Sequence, residues 1–285
     1  MTRRWLVVGG TGMLGADLAR ALDGRDATLV GSRELDIRDA EAVRGAVAGY
    51  DVVVNAAAHT RVDDAETEEE RALAINGTGA GNLARAVAEG AGRILQVSTD
   101  YVFPGDASEP YAEDAPLAPL GAYGRTKAAG ERAVRAALPD RSWIVRTAWI
   151  YGAGGPNFAS TMLRLAAERD TVSVVTDQVG QPTWTADLAE RIVAMVEADA
   201  PPGAYHGTNS GRASWFEFAR AVFEEAGLDP ARVLPTDSAS FPRPAPRPAF
   251  SVLGHAGWAR AGLAPMRPWR DALRAAFAAG AVRHP

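Results

Sequence analysis

The sequence predicts an α/β protein, a doubly wound parallel sheet with a smaller C-terminal lobe, on three observations. In the first 150 residues, short apolar runs alternate with stretches of helical period, the pattern of successive βαβ units. A glycine-rich turn follows the first of those runs, where such folds hold a phosphate. After residue 150 the alternation loosens and helical segments dominate. This divides the chain into a nucleotide-binding region, residues 1–150, and a mainly substrate-binding lobe, residues 151–285, whose strands or helices are free to return to the main sheet.

Taken in order, the apolar runs Trp5–Val8, Thr28–Val30, Val52–Asn55, Ile94–Val97 and Trp143–Arg146 are too short for core helices and read as buried strands. Between them, helical spacing of apolar residues places helices at Met13–Leu22, Ala40–Val47, Glu68–Glu89 and Tyr123–Ala137. Right-handed crossovers then put the ligand crevice beyond the carboxyl ends of the strands. The lobe reads as helices at Phe158–Glu168, Ala186–Ala198, Trp215–Ala226 and Trp269–Ala278. Between the last two, Phe241-Pro242-Arg243-Pro244-Ala245-Pro246-Arg247-Pro248 cannot be regular helix, and is either a surface linker or a substrate-facing loop.

Composition removes several classes of function. With 285 residues and a net charge of −5, there is no broad positive field to gather nucleic acid or an anionic membrane. No apolar run approaches the roughly 20 residues that span a bilayer. The opening Met1-Thr2-Arg3-Arg4 carries no secretory pattern, so a cytoplasmic location is expected. There is no cysteine for a disulfide or thiol nucleophile, and four dispersed histidines make no zinc pattern. Of 30 basic residues, 29 are arginine and only Lys127 is lysine. In a chain that uses arginine wherever a generic cation suffices, a lone lysine points to chemistry that arginine cannot do.

The first strand runs into Gly9-Gly10-Thr11-Gly12-Met13-Leu14-Gly15. Glycines at 9, 12 and 15 permit a tight turn, close backbone approach to a pyrophosphate and tight helix packing, a Rossmann-type fingerprint. At the end of strand two, where an acid would select NAD, the chain reads Gly31-Ser32-Arg33. A hydroxyl and a guanidinium suit a 2′-phosphate better, so NADPH is favoured, with NADH as the alternative. Asp36 follows closely enough to accept a bond from the adenine amino group.

Tyr123 and Lys127 stand one helical turn apart and so share a face. With six tyrosines in 285 residues, chance gives the lone lysine this spacing in about 2% of cases. An ammonium beside a phenol is expected to lower the phenol's pKa and make it a proton donor to a substrate oxygen. Strand four ends in Ser98-Thr99-Asp100-Tyr101-Val102-Phe103, which brings hydroxyls to the crevice where a carbonyl oxygen needs a second donor. Cofactor loop, acid and polarising hydroxyl together are the parts of a hydride-transfer site.

These residues, with Val54 to Thr60, Val62-Asp63, Gly130-Glu131, Arg146 to Trp149, Asn157-Phe158, Asp177-Gln178 and Gly180 to Thr183, resemble the extended short-chain dehydrogenase/reductases, and more closely the dTDP-4-dehydrorhamnose reductase family. The resemblance covers nearly the whole chain. It implies Tyr123 as proton donor with Lys127 as its partner, and Thr99, Asp100 and Trp149 on the sugar of a dTDP-linked substrate. It also implies Gly12, Met13, Leu14, Asp36, Ile37, Ala58, His59, Thr60 and Val97 along the cofactor. The expected reaction is NADPH-dependent reduction of a dTDP-4-keto-6-deoxyhexose by a monomer or homodimer. Two departures from the family pattern qualify this. Where some members hold magnesium between subunits with carboxylates, this chain has Asp17, Ala186 and Arg270, so no metal is expected. Where related dehydratases carry Glu after Thr-Asp, this chain has Tyr101, which favours simple ketone reduction over dehydration.

Overall fold

The computed structural model describes residues 3–283. Its main sheet contains β1 (Arg4–Val8), β2 (Asp26–Val30), β3 (Val52–Asn55), β4 (Arg93–Thr99), β5 (Ser142–Thr147) and a sixth strand, Gly203–His206. All pair in parallel, in the spatial order Gly203–His206, β5, β4, β3, β1, β2. This is the expected doubly wound α/β sheet, and each of the five expected strands is present, most of them a residue or two longer. In the order β4, β3, β1, β2, the chain starts at the centre and winds outward in both directions. The reversal creates the crevice at the carboxyl ends where the motif residues collect.

Among the described residues, ten α-helices cover the sheet and build the lobe: α1 (Met13–Ala21), α2 (Ala40–Val47), α3 (Glu69–Leu73), α4 (Ala80–Ala88), α5 (Ala122–Ala137), α6 (Phe158–Glu168), α7 (Thr185–Glu197), α8 (Trp215–Glu225), α9 (Ala256–Arg260) and α10 (Trp269–Ala278). The single helix expected at Glu68–Glu89 is α3 and α4 joined by a π-helical turn, Ala74–Gly79. One face of the sheet packs Leu6, Val8, Val53, Ile94 and Ile144 against Val43, Leu83 and Val134 of α2, α4 and α5. The other packs Trp5, Val7 and Val145 against Leu14 and Leu18 of α1, Leu188 and Ile192 of α7, and Trp258 of α9. The lobe has its own core, in which Leu163, Phe218, Phe223 and Leu273 meet.

The second half of the chain therefore does return to the main sheet, through the Gly203–His206 strand and α7. The Pro-rich stretch is no free linker. Its Ala245 amide and Arg247 guanidinium both donate to Asp63 Oδ1, at 3.3 and 2.9 Å, and Ala245 is buried. The lobe thus folds back over the loop that follows β3. No helix among the described residues is long and apolar enough to cross a membrane.

Candidate active site

The glycine turn takes the expected form. Gly9 has φ +92, open to glycine without strain, and the Gly9 and Gly10 amides both donate to the Val30 carbonyl at 2.9 Å. A Cβ on Gly15 would collide with the Gly9 carbonyl oxygen, so only glycine lets α1 sit this close to the loop. Gly12 caps α1 with no side-chain acceptor, leaving first-turn amides to face a ligand. Met13 is half-buried, and the Leu14 side chain joins the core.

At the end of β2, Ser32 and Arg33 are exposed. Glu34, which the sequence reading passed over, folds back so that its Oε2 accepts from the Gly31 amide at 2.9 Å. Asp36 is paired with Arg38 at 2.6 Å, which pulls its carboxyl down to about 2. Ile37 is buried in the core, so it can meet a cofactor only through its backbone.

The loop after β3 is held from an unexpected direction. Asn76 in the π-helical turn accepts from the His59 amide at 2.8 Å and donates to the His59 carbonyl at 3.1 Å. Its amide nitrogen also donates to Thr126 Oγ1 at 3.0 Å, and Thr126 donates to the Tyr123 carbonyl at 2.8 Å. One asparagine thereby ties Ala58, His59 and Thr60 to the helix bearing Tyr123, a use of π-turns common at functional sites. An asparagine followed by glycine in mid-helix, Asn76-Gly77, was the available signal. His59 Nδ1 is buried with no protein partner.

Tyr123 stands in the first turn of α5, with Lys127 one turn later. The Lys127 ammonium is buried and donates to the Val97 carbonyl at 2.7 Å. Burial pushes Lys127 down to about 8, opposed by the charge of Glu131. The expectation that Lys127 depresses the phenol is not met in this structure. Burial pushes Tyr123 above its ordinary range, the Thr99 hydroxyl offsets part of this, and the Asp100 charge adds to it. The Lys127 ammonium, turned to the Val97 carbonyl, does not offset the desolvation of the phenol. Tyr123 is accordingly a neutral phenol that still carries the proton a donor needs.

Beside it, Thr99 Oγ1 donates to Asp100 Oδ1 at 2.9 Å and accepts from the Tyr101 amide at 3.2 Å. Asp100 Oδ2 is buried without a partner. Burial raises the Asp100 carboxyl to about 6, against the hydroxyls of Ser251 and Thr99. Behind this edge, Ser98 Oγ donates to Glu131 Oε1 at 2.6 Å, and Glu131 is paired with Arg146 at 2.8 Å. Arg146 continues to the Glu113 carbonyl and His206 Nε2. Burial and Arg146 lower His206 to about 3, so it is neutral, donating through Nδ1 to the Gly254 carbonyl. Thr99 pairs in register with Thr147 of β5, so Trp149, two residues on, stands at the same edge.

A family model described as RmlD substrate binding domain matches residues 3–281. The chain is 54% identical to the dTDP-4-dehydrorhamnose reductase of Streptomyces griseus, covering 97% of this chain and 93% of that protein. The chain belongs to the dTDP-4-dehydrorhamnose reductase family. It is therefore an oxidoreductase. A second relative, a probable dTDP-4,6-dihydroxy-2-methyloxan-3-one 4-ketoreductase of Streptomyces antibioticus, is 50% identical over 96% of this chain and 94% of its own length. The crystal structure of dTDP-4-dehydrorhamnose reductase from Bacillus anthracis in complex with NADP superposes with a TM-score of 0.94 at 37% identity, covering 98% of this chain and all of that one.

Of the three positions compared with this family's metal ligands, the two charged ones are already engaged. Asp17 accepts hydrogen bonds from Arg20 and Thr185, Ala186 offers no donor, and Arg270 pairs with Glu224 at 2.7 Å. A residue that sequence reasoning did not assign to the site is Trp215, which stacks on Trp149.

Proposed function

We propose that the protein uses NADPH to reduce the C4 ketone of a dTDP-4-keto-6-deoxyhexose, foremost dTDP-4-dehydro-L-rhamnose to dTDP-L-rhamnose. The observation that carries this reading is the convergence of a neutral Tyr123 phenol, the Thr99 hydroxyl and the buried Lys127 ammonium at one strand edge beside the glycine turn. The turn fits a dinucleotide, since the exposed Gly12 opens α1 with no side-chain acceptor on its first amides, while Gly9 and Gly15, where a Cβ would strike backbone, let the loop and helix close tightly. Gly12, Met13 and Leu14 would hold the pyrophosphate, Ser32 and Arg33 the 2′-phosphate, Asp36 the adenine, and Ala58, His59, Thr60 and Val97 the nicotinamide half with Lys127. The bound cofactor supplies the hydride that goes to C4.

The remaining chemistry belongs to the chain. Thr99, turning its hydroxyl proton from Asp100 Oδ1, donates to the ketone oxygen, and Tyr123 transfers its proton to that same oxygen, leaving phenolate and alcohol. The unpartnered Asp100 Oδ2 is an acceptor for a sugar hydroxyl. Tyr101, whose phenol burial raises well above its usual range, is no base for abstracting a carbon-bound proton, which favours reduction over dehydration. The Streptomyces antibioticus relative supports a second reading, in which another dTDP-deoxysugar is reduced at C4. Lys127 argues against a non-catalytic regulatory subunit of the same fold. The test is purified protein with NADPH and dTDP-4-dehydrorhamnose, the product identified by NMR. Formation of dTDP-L-rhamnose is expected, and no cofactor oxidation with any dTDP-4-keto-sugar would overturn the reading.

A further inference from the structure

Trp149 is a bulky residue held at φ +45, in the left-handed region that side chains rarely adopt. Such strain costs on the order of 1–3 kcal/mol and persists only where the surroundings enforce it. Here they do. Trp215, the first residue of α8, lies flat on the Trp149 indole, with ring centroids 3.5 Å apart and planes 7° from parallel. A Cβ on Gly180 would fall 2.5–2.8 Å from Cε2, Cζ2 and Nε1 of the same indole. Since Trp215 covers one face, Gly180 takes the other, and the ring sits in a slot only glycine leaves open. The slot is itself fixed. Trp215 Nε1 donates to Gln178 Oε1 at 3.2 Å, Gln178 donates to Ser238 Oγ at 2.8 Å, and Phe158 leans on Trp215 from 4.5 Å. The Trp149 carbonyl accepts from the Thr183 amide at 3.2 Å.

We propose that Trp215 and Gly180 are positioning residues that clamp Trp149 so that it meets the sugar with the edge of its indole rather than its face. Both faces are occupied by the chain, so packing flat on a sugar ring would require the stack to open. Because Trp215 and Gly180 belong to the C-terminal half and Trp149 follows β5, the clamp also sets how the lobe aligns the substrate with Thr99 and Tyr123. The inference rests on the dTDP-sugar reading of the site.

Two stacked indoles produce an exciton couplet in far-ultraviolet circular dichroism. With the enzyme holding NADPH, saturation with dTDP-L-rhamnose should leave the couplet unchanged, and its collapse on binding would overturn the proposal. Trp215→Leu should abolish the couplet and raise KM for the keto-sugar roughly three- to tenfold, the equivalent of one aromatic pair, with a smaller change in kcat. Trp215→Phe, which keeps a flat partner, should restore KM. A purely structural role would instead lower the amount of active enzyme at unchanged KM, and wild-type KM in Trp215→Leu would overturn the clamp. Calorimetry separates the two levels. If the wild type binds no dTDP-sugar, the functional reading falls and takes the clamp with it, whereas binding with loss of the couplet refutes the clamp alone.

Discussion

Asp100 carries a charge in a place that penalises it. Its carboxyl is raised from 3.8 to about 6 by desolvation, so between those values the folded state holds a proton that the unfolded chain has lost. Stability therefore rises as pH falls from about 6 towards 3.8, and the full penalty, on the order of 3 kcal/mol, stands above about 6. Asp100→Asn should raise the melting temperature near neutral pH, lose that advantage below 3.8, and weaken binding of the sugar at every pH; thermal scans across pH check the first part and KM the second. Burial likewise raises Tyr123, which keeps the phenol protonated at neutral pH but makes it a weaker acid. Tyr123→Phe should lower kcat by roughly 10²- to 10⁴-fold with cofactor affinity nearly intact, as read by fluorescence titration. Lys127→Arg should also fail, because the buried ammonium fits against the Val97 carbonyl where a planar fork does not. An arginine enzyme with wild-type turnover would refute the reasoning from the solitary lysine.

Among the elements, the π-helical turn is the one with a specific task. Asn76→Ala removes the partners of the His59 amide and carbonyl and of the Thr126 hydroxyl, and each buried group left unsatisfied costs about 1–3 kcal/mol. The expected result is faster amide exchange confined to the loop after β3, with a raised KM for the cofactor; uniform exchange changes over the whole chain would point to global destabilisation instead. The sequence could not show this turn, because its apolar spacing continues through Glu68–Glu89 and backbone register is not written in hydrophobic period. Strands of Val and Ile, and helices with clear apolar stripes, were legible to within about two residues. The Gly203–His206 strand was not, since Gly-Ala-Tyr-His lacks the branched residues that mark a buried strand. In the site, Tyr123, Lys127, Thr99 and the glycines announced themselves by residue type and spacing. Trp215 did not, because an aromatic opening an amphipathic helix reads as core, and its role comes from Trp149, 66 positions earlier in the chain.

At the scale of the molecule, the carboxylate Asp17 and the cation Arg270 are both committed to partners within the chain. Activity and light-scattering mass should therefore be unchanged after EDTA treatment and desalting, with or without added magnesium. Loss of either on chelation, restored by the metal, would show a carboxylate site elsewhere. The returning strand and α7 carry a consequence for synthesis. The face of the sheet bearing Trp5, Val7 and Val145 is covered by Leu188, Ile192, Trp258 and Met266, residues translated long after the strands they protect. A ribosome that has made the glycine turn, the Tyr-Lys pair and all five leading strands still presents a half-covered sheet. Non-local closure of this kind delays folding and exposes sticky surface to other chains. Nascent chains arrested shortly after residue 150 should stay protease-sensitive and bound by chaperones, and native protection should appear only once Met266 has cleared the exit tunnel.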